Sequence, residues 1–453
     1  MRFKLSLLKS RRGLIFSCLL DFLFFLIFFN FIFNIHITSK SIFTFLCISN
    51  SMLWITLSYV VGRYGFSKKE KIYIVFKNTY KSIFTLFISF LLLIVQFWVF
   101  WDWNYMNFDS FSNFINLITN LYIKIFIVST IFQIILSLYL AGNYSKETLW
   151  FFLGNLKRKN ELIQIIGLNS NFKIKIYNQN NTKKTSFKTK EVIVDEEQNL
   201  LGDKNIKLLF DLKNKGIKFI KISNWCEKYL NRFPSELIKL NDIIDGQFSY
   251  DEYSIKGRLK RIAETLVSIF ILLLSFPILI LASLLIKIED GGPIFYTQSR
   301  TGFEGKIFKI IKLRTMIINA EKNGEQWSSK NDKRITNIGN ILRKLRIDEL
   351  PQLLLVISGE MSLIGPRPER PNIDNFLRKE IPNYDLRYSI KPGISGWAQV
   401  NYPYGASLED SKYKLSYDLY YIKNFSIFLD FMILLKTIKL VLNGKGSRPI
   451  DQN

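Results

Sequence analysis

The sequence predicts a multi-pass α-helical membrane protein with a Rossmann-like α/β cytoplasmic module and a C-terminal α+β domain anchored by a re-entrant membrane helix. Three observations lead there. Four apolar runs of spanning length fill the first third of the chain. Short β-like runs take over from about residue 161, and a fifth apolar run follows with cations on both of its flanks.

A helix needs about 20 apolar residues to cross the hydrocarbon core. Runs 14–35, 41–61, 82–101 and 121–141 meet that length and define a transmembrane region over 1–145. The first run is too long for a signal peptide and lacks cleavage-site chemistry. Arg2, Lys4, Lys9, Arg11 and Arg12 precede it, and Arg63, Lys68, Lys69, Lys71, Lys77 and Lys81 follow the second run. The stretch 102–120 carries no Lys or Arg, so the positive-inside rule puts both ends of the bundle in the cytoplasm. Asp21, inside the first run, is either a functional acid or the partner of a residue at a helix end or on another helix.

From 161 to 244, runs such as LIQIIG (162–167), FKIKIY (172–177) and IKFIKI (217–222) suggest strands of a parallel sheet. Gly167 stands alone where a dinucleotide site would need G-x-G-x-x-G, so no phosphate cradle is expected. Residues 245–259 read as a linker, followed by a last domain over 260–453.

That domain opens with the fifth run, 266–286. Lys256, Arg258, Lys260 and Arg261 precede it, and Lys287, Arg300, Lys306, Lys309 and Lys312 follow. Positive charge on both flanks predicts that both ends stay in the cytoplasm. Pro277 removes a helical donor near the centre, and Ser275 is placed to satisfy a freed carbonyl. A re-entrant helix over 265–286 fits this pattern; a kinked spanning helix is the simpler alternative, and it would put the charged remainder outside the cell.

The formal net charge of +25 suits nucleic acid, an anionic membrane surface or phosphate-bearing ligands. Aromatic residues lie in apolar runs rather than between basic ones, which argues for no nucleic acid. A single histidine, His36, nearly excludes histidine-based catalysis, and Cys18, Cys47 and Cys226 lack disulfide or zinc spacing. Chemistry must then rest on carboxylates and cations, with or without a hard metal ion.

The carboxylates stand out in RIDELPQL (346–353), which pairs Asp348 with Glu349 among cations. Two strands are expected just upstream, PIFYTQSR (293–300) and KIFKIIKLRTM (306–316). On the second, Lys312 and Arg314 project from one face, as a solvated edge or as phosphate ligands. ITNIGNILRKLR (335–346) reads as an amphipathic helix with Arg343 off its apolar stripe. Asp348 then suits an N-cap and Glu349 a first-turn acid. The alternative is a reaction centre: a helix N-terminus attracts phosphate, and adjacent acids diverge by about 100°. Arg367, between Pro366 and Pro368, sits on a stiffened backbone.

From 260 to about 444 the chain resembles the bacterial sugar transferases, the polyprenol-phosphate hexose-1-phosphate transferases. KRIAE (260–264), SFP (275–277), GGPIFYTQSRTG (291–302), FKIIKLRTM (308–316), LRKLRIDELPQL (342–353), GEMSLIGPRPER (359–370), IKPGISGWAQVNYPYG (390–405) and YDLYYIKNFSIFLD (417–430) carry the resemblance. Gln399 and Asp418 lie in the matching motifs. Glu264 and Glu360 stand where the family usually has Asp, and Phe276 separates Ser275 from Pro277. The upstream spans and α/β module resemble long members that start exopolysaccharide, capsule or O-antigen units.

The resemblance implies a UDP-sugar donor, a polyprenyl phosphate acceptor, and Mg²⁺ held by Glu349. It implies Asp348 as the covalent nucleophile, with release of UMP at the cytoplasmic face of the bacterial inner membrane. Lys312, Arg314, Arg343 and Arg367 would offset anionic charge. Lys260 and Arg261 would meet lipid headgroups or the acceptor phosphate. The apolar stretch 426–442 suits a helix lying on membrane lipids, and Trp397, Tyr402 and Tyr404 would stack on uracil or pack in the core. A homo-oligomer is compatible with the sequence. Rival readings are a glycosyltransferase releasing UDP, for which no D-x-D acid pair is evident in this region, and a membrane sensor or scaffold, which would want the missing glycine-rich loop.

Overall fold

The computed structural model describes residues 12–33, 40–64, 71–99, 111–143, 148–153, 160, 163–164, 172–176, 191–194, 210, 212–214, 216–318, 320, 332–402, 405 and 407–442. They fall into two units, Met1–Glu147 and Thr148–Asn453.

In the first unit the apolar runs form four helices: α1 (Arg12–Phe33), α2 (Lys40–Val61), α3 (Lys71–Val99) and α4 (Phe111–Asn143). Asp21 and Arg63 meet at 3.0 Å with both side chains fully buried. Asp21 also accepts from Tyr64 at 2.7 Å and from Ser129, while Arg63 Nε donates to Ser82 at 2.8 Å. One acid and one cation thereby tie together groups on α1, α3, α4 and the end of α2. The blander reading of Asp21, an interhelical partner, describes this arrangement. Arg63, counted above among the orienting cations, is neutralised by its pairing and contributes no exposed charge.

Among the described residues, Thr119–Leu138 and Ile255–Asp290 are helices long and apolar enough to cross a membrane. Phe16–Phe28 and Cys47–Val61 are shorter apolar helices.

The second unit opens with a four-stranded parallel sheet: β1 (Thr148–Leu153), β2 (Phe172–Ile176), β3 (Glu191–Val194) and β4 (Lys218–Lys221), in the order β2-β1-β3-β4. The register sets Trp150 against Ile174 and Ile193 against Ile220. LIQIIG is not a strand where it is described, since Ile163 and Gln164 are helical. The sheet instead begins at TLWFFL, ahead of residue 161. A buried parallel strand is apolar throughout, and this one follows a spanning run closely enough to read as its tail. Gly167 lies outside the described residues.

The expected linker is packed. Phe233 and Phe248 are buried, with ring centroids 5.2 Å apart. Lys391 and Glu252 pair at 3.0 Å, and Phe233 N donates to Ser416 O at 2.7 Å.

Helix α5 (Ile255–Asp290) follows, capped by Ser254, which accepts from Gly257 N. The chain stays helical through Pro277. Ser275 does not reach the carbonyl of Leu273 that Pro277 leaves unmatched; its hydroxyl donates to Leu272 O at 3.3 Å. Both ends of α5 pack on the same domain. Near its start, Arg261 donates to Val356 O and Ile357 O. Near its end, Ala282 and Ile286 pack with Leu313 and Leu342.

The antiparallel pair β5 (Phe295–Thr301) and β6 (Ile307–Leu313) comes next, as the sequence predicts. Helix α6 (Asn337–Lys344) is capped by Thr336, which accepts from Gly339 N at 3.0 Å. A tight turn over 347–352, helix α7 (Leu353–Ser358), strand β7 (Ser362–Ile364) and helix α8 (Pro371–Glu380) follow. Then come strand β8 (Gly393–Ser395), parallel to β7, and helices α9 (Trp397–Asn401), α10 (Leu408–Lys423) and α11 (Ile427–Leu442).

Candidate active site

The turn after α6 sets the site. Arg346 takes the left-handed conformation, φ 58°, between α6 and the 3₁₀ turn Ile347–Gln352. That geometry costs a non-glycine residue about 1 kcal/mol, and it reverses the chain sharply enough to present both acids at once. Asp348 is not an N-cap: no side chain caps this turn. Both acids are buried.

Their surroundings differ. Glu349 Oε1 meets Arg367 Nη2 at 2.7 Å and Lys312 Nζ at 3.2 Å, and its Oε2 meets Arg346 Nη1 at 2.9 Å. Burial alone would raise its pKa, but Arg367, Arg346 and Lys312 together hold the carboxyl well below the usual range. Asp348 Oδ1 is buried without a hydrogen-bond partner. Burial, and then the charge of Glu349, push Asp348 up to about 6 against Lys312 and Arg346. Burial draws Lys312 down to about 8, with Glu349 opposing.

Asp348 lines a cavity of about 700 Å³. Nine cations lie on that lining; Arg300, Lys312, Arg343, Arg346, Arg367 and Arg370 among them come from β5, β6, α6, the turn and the loop before α8. An orphaned carboxylate oxygen among so many cations can act as a nucleophile toward an anion whose charge those cations offset. A hard cation would also fit: the donors are oxygen only, and such ions take one or two carboxylates and complete their shell with substrate phosphates. Among the described residues no cluster of three or more His, Cys, Asp or Glu side chains supplies a closed metal cage.

The residues singled out in the sequence divide into three groups. Asp348, Lys312, Arg314, Arg343, Arg367, Gln399 and Asp418 line the one cavity, and Glu349 joins them through Lys312 and Arg367. Pro366 and Pro368 are buried beside Arg367. Arg314, although it faces the cavity, is held by both oxygens of Asp290 at the end of α5. Gln399 Nε2 donates to Ile394 O at 3.0 Å. Asp418 accepts from Arg387 at 3.3 Å, and burial raises it to about 6 with Arg387 opposing.

Lys260 and Arg261 do not face headgroups. Lys260 Nζ is enclosed by Asp430 and Glu264, each at 2.8 Å, and by Ile364 O and Tyr421 OH, each at 3.0 Å. Arg261 binds the last carbonyls of α7, where a helix end leaves them unsatisfied. Ser275 is buried on α5 and Pro277 exposed. Trp397 is core: 1% exposed, stacked on Tyr420, with Lys436 Nζ 4.3 Å from its ring. Tyr402 lines the cavity, and Tyr404 lies outside the described residues.

Sequence reasoning missed Arg346 and Arg387. Arg346 was visible three residues before Glu349, the spacing at which helical side chains meet. Arg387 gave no local signal. It donates to the backbone carbonyl of Arg367 at 2.7 Å and so holds the proline-flanked loop in place.

The sequence model described as "Bacterial sugar transferase" matches residues 255–444. The UDP-N-acetylgalactosamine-undecaprenyl-phosphate N-acetylgalactosaminephosphotransferase of Aeromonas hydrophila is 44% identical over 190 residues, 42% of this chain and 45% of that protein. The UDP-glucose:undecaprenyl-phosphate glucose-1-phosphate transferase of Escherichia coli K12 is 37% identical over 182 residues, 40% of this chain and 39% of that protein. The protein of the same name from Caulobacter vibrioides is 38% identical over 185 residues, 40% of this chain and 69% of that protein. The chain thus covers less than half the length of the first two relatives and more than two thirds of the third. The shared stretch begins with α5 and includes every cavity-lining residue named above, and by these matches the chain belongs to the bacterial sugar transferase family.

Proposed function

We propose that the protein transfers a hexose 1-phosphate from a UDP-sugar to polyprenyl phosphate and releases UMP. The observation that carries this reading is the buried, unpartnered Oδ1 of Asp348 on a cavity lined by cations. In the first step a carboxylate oxygen of Asp348 attacks the phosphorus bearing the sugar. The P–O bond to the bridging oxygen breaks, and UMP leaves with the electron pair. In the second, a phosphate oxygen of the acceptor attacks the same phosphorus and expels the carboxylate, giving a polyprenyl diphosphate sugar.

The residues have distinct work. Lys312, Arg343, Arg346 and Arg367 offset the diphosphate's charge, which would otherwise repel the attacking carboxylate. Glu349 keeps Lys312, Arg346 and Arg367 in place, and it would hold Mg²⁺, which would supply Lewis-acid charge at the diphosphate. The names of the relatives make UDP-N-acetylgalactosamine and UDP-glucose the first donors to test.

The membrane reading rests on two features. Helix α5 has both ends on one domain while its centre stays exposed and apolar, which favours a helix that enters one leaflet and returns. Helix α11 turns Asp430 and Lys436 inward, toward Lys260 and Asn401, and exposes Ile427, Phe428 and Phe431. Such an apolar outer face suits lipid better than water. The cavity would then lie at the cytoplasmic surface, where a soluble donor meets a lipid acceptor, at the first step of a surface glycan.

The test uses membranes containing the protein, Mg²⁺, polyprenyl phosphate and the two donors. UMP release by the wild type, reduced about 10³-fold or more in Asp348→Asn, is the expected result. Release of UDP, or full activity in the asparagine variant, would overturn the mechanism.

A further inference from the structure

Part of the cavity wall depends on residues outside the family match. Tyr402 lines the cavity, and so do Gly405, Ser411 and Lys414. Helix α10 holds this wall from beneath. Asp410 accepts from Tyr402 OH at 2.8 Å and from Ser407 N at 3.0 Å. Lys414 Nζ donates to Gly405 O at 2.6 Å. The ring of Tyr413 stacks on Tyr402, with centroids 5.5 Å apart and planes 12° from parallel.

Tyr413 in turn is held from the N-terminal side of the unit. Its hydroxyl donates to Gln164 O at 2.5 Å, and the guanidinium of Arg232 lies 4.7 Å from its ring centroid. Arg232 is 4% exposed and follows β4 by about a dozen residues. The same segment is pinned to the family-matched domain, where Trp397 Nε1 donates to Asn231 O at 2.9 Å and Phe233 N to Ser416 O at 2.7 Å. A continuous set of contacts therefore runs from the parallel-sheet region through Arg232 and Gln164 to Tyr413, then to Tyr402 on the cavity.

We infer that Tyr413 is a positioning residue through which the α/β region sets the donor-binding wall. By this inference Tyr413 and Arg232 govern how tightly the nucleoside diphosphate part of the donor is held, and leave phosphoryl transfer at Asp348 alone. The inference rests on the reading that this cavity takes the UDP-sugar. A planar ring is held firmly only when both of its faces are packed. Tyr402 presents one face to Tyr413, so loss of that stack frees this part of the wall. The α/β region then has a role in the reaction without a ligand site of its own.

The experiment uses the full-length protein in nanodiscs with Mg²⁺. Binding of labelled UDP is measured by equilibrium dialysis, and KM and kcat are measured with whichever of the two UDP-sugars turns over. Tyr413→Leu should weaken UDP binding about five-fold and raise KM in step, with kcat within about two-fold. Tyr413→Phe keeps the stack but loses the bond to Gln164, and should give a smaller change in the same direction, as should Arg232→Leu. Tyr402→Leu combined with Tyr413→Leu should be no weaker than Tyr402→Leu alone, because the pair acts as a unit.

Unchanged UDP affinity in a folded Tyr413→Leu protein would overturn the inference. So would a fall in kcat without a change in affinity. If the leucine variant does not fold, unchanged affinity in both Tyr413→Phe and Arg232→Leu overturns it equally. UDP binding is read without turnover, so an inactive wild type would count against the transferase reading while the binding series still decides the role of Tyr413.

Discussion

At the scale of single residues, the two adjacent acids differ because their neighbours differ. Glu349 is wrapped by three cations and stays ionised. Asp348, one residue away, lines the cavity and keeps one oxygen without a hydrogen-bond partner. Only the fold separates them, because β6 and the loop before α8 deliver Lys312 and Arg367 to one acid. Arg387 matters for the same reason: one arm of its fork, Nη2, donates to both Asp418 and the Arg367 carbonyl, while Nη1 donates to Tyr384 OH. Lysine is a point charge without that fork. Arg387→Lys should lower kcat/KM about tenfold through misplacement of Arg367, with the folded state retained, as steady-state UMP release and circular dichroism would register.

Among the elements, α6 is fixed by a close approach. A Cβ at Gly339 would lie 2.2 Å from Thr315 O, a backbone atom that cannot swing aside. This contact sets α6 against the end of β6 and aims Arg343 into the cavity. Gly339→Ala should therefore destabilise the domain by about 1–3 kcal/mol, seen as a lower thermal midpoint and, through displaced Arg343 and Arg346, weaker UDP binding. An unchanged midpoint would mean that the helix shifts without cost. Helix α11 illustrates a different rule. Asp430 and Lys436 point inward beside the buried Leu429 and Ile433, while Ile427, Phe428 and Phe431 face outward, so that its exposed face is apolar, unlike that of a soluble surface helix. With Asp430 turned inward, Lys260 at the start of α5 is spent on Asp430 and Glu264.

Over the whole molecule, the net charge of +25 is distributed by role. Several cations converge on one cavity, and others neutralise buried acids. Arg63 belongs to the second kind. Removing one partner of a buried pair strands the other, which typically costs about 3–5 kcal/mol. Arg63→Ala should lower the stability of the four-helix unit by that order, measured by thermal unfolding in detergent. Replacing Asp21 and Arg63 together by Leu and Met should recover most of the loss; equal loss in the double variant would mean the pair has a role beyond packing.

The sequence by itself determined the apolar helices, the β5–β6 pair and the acids with most of their cations. These are local signals: hydrophobic period, turn glycines and motif spacing. It also brought out the family, because many short motifs recur in one order. Tertiary structure alone decided which acid is left bare, that Lys260 is buried and Arg261 bonded to α7, that Arg314 is bound to Asp290, and that the expected linker over 245–259 packs against the domain. It alone supplied Arg387 and Tyr413. The reason is physical: burial and partnership depend on residues far apart in the chain, brought together only by the fold, and a charged side chain reads the same in sequence whether it meets water, lipid or a buried carboxylate.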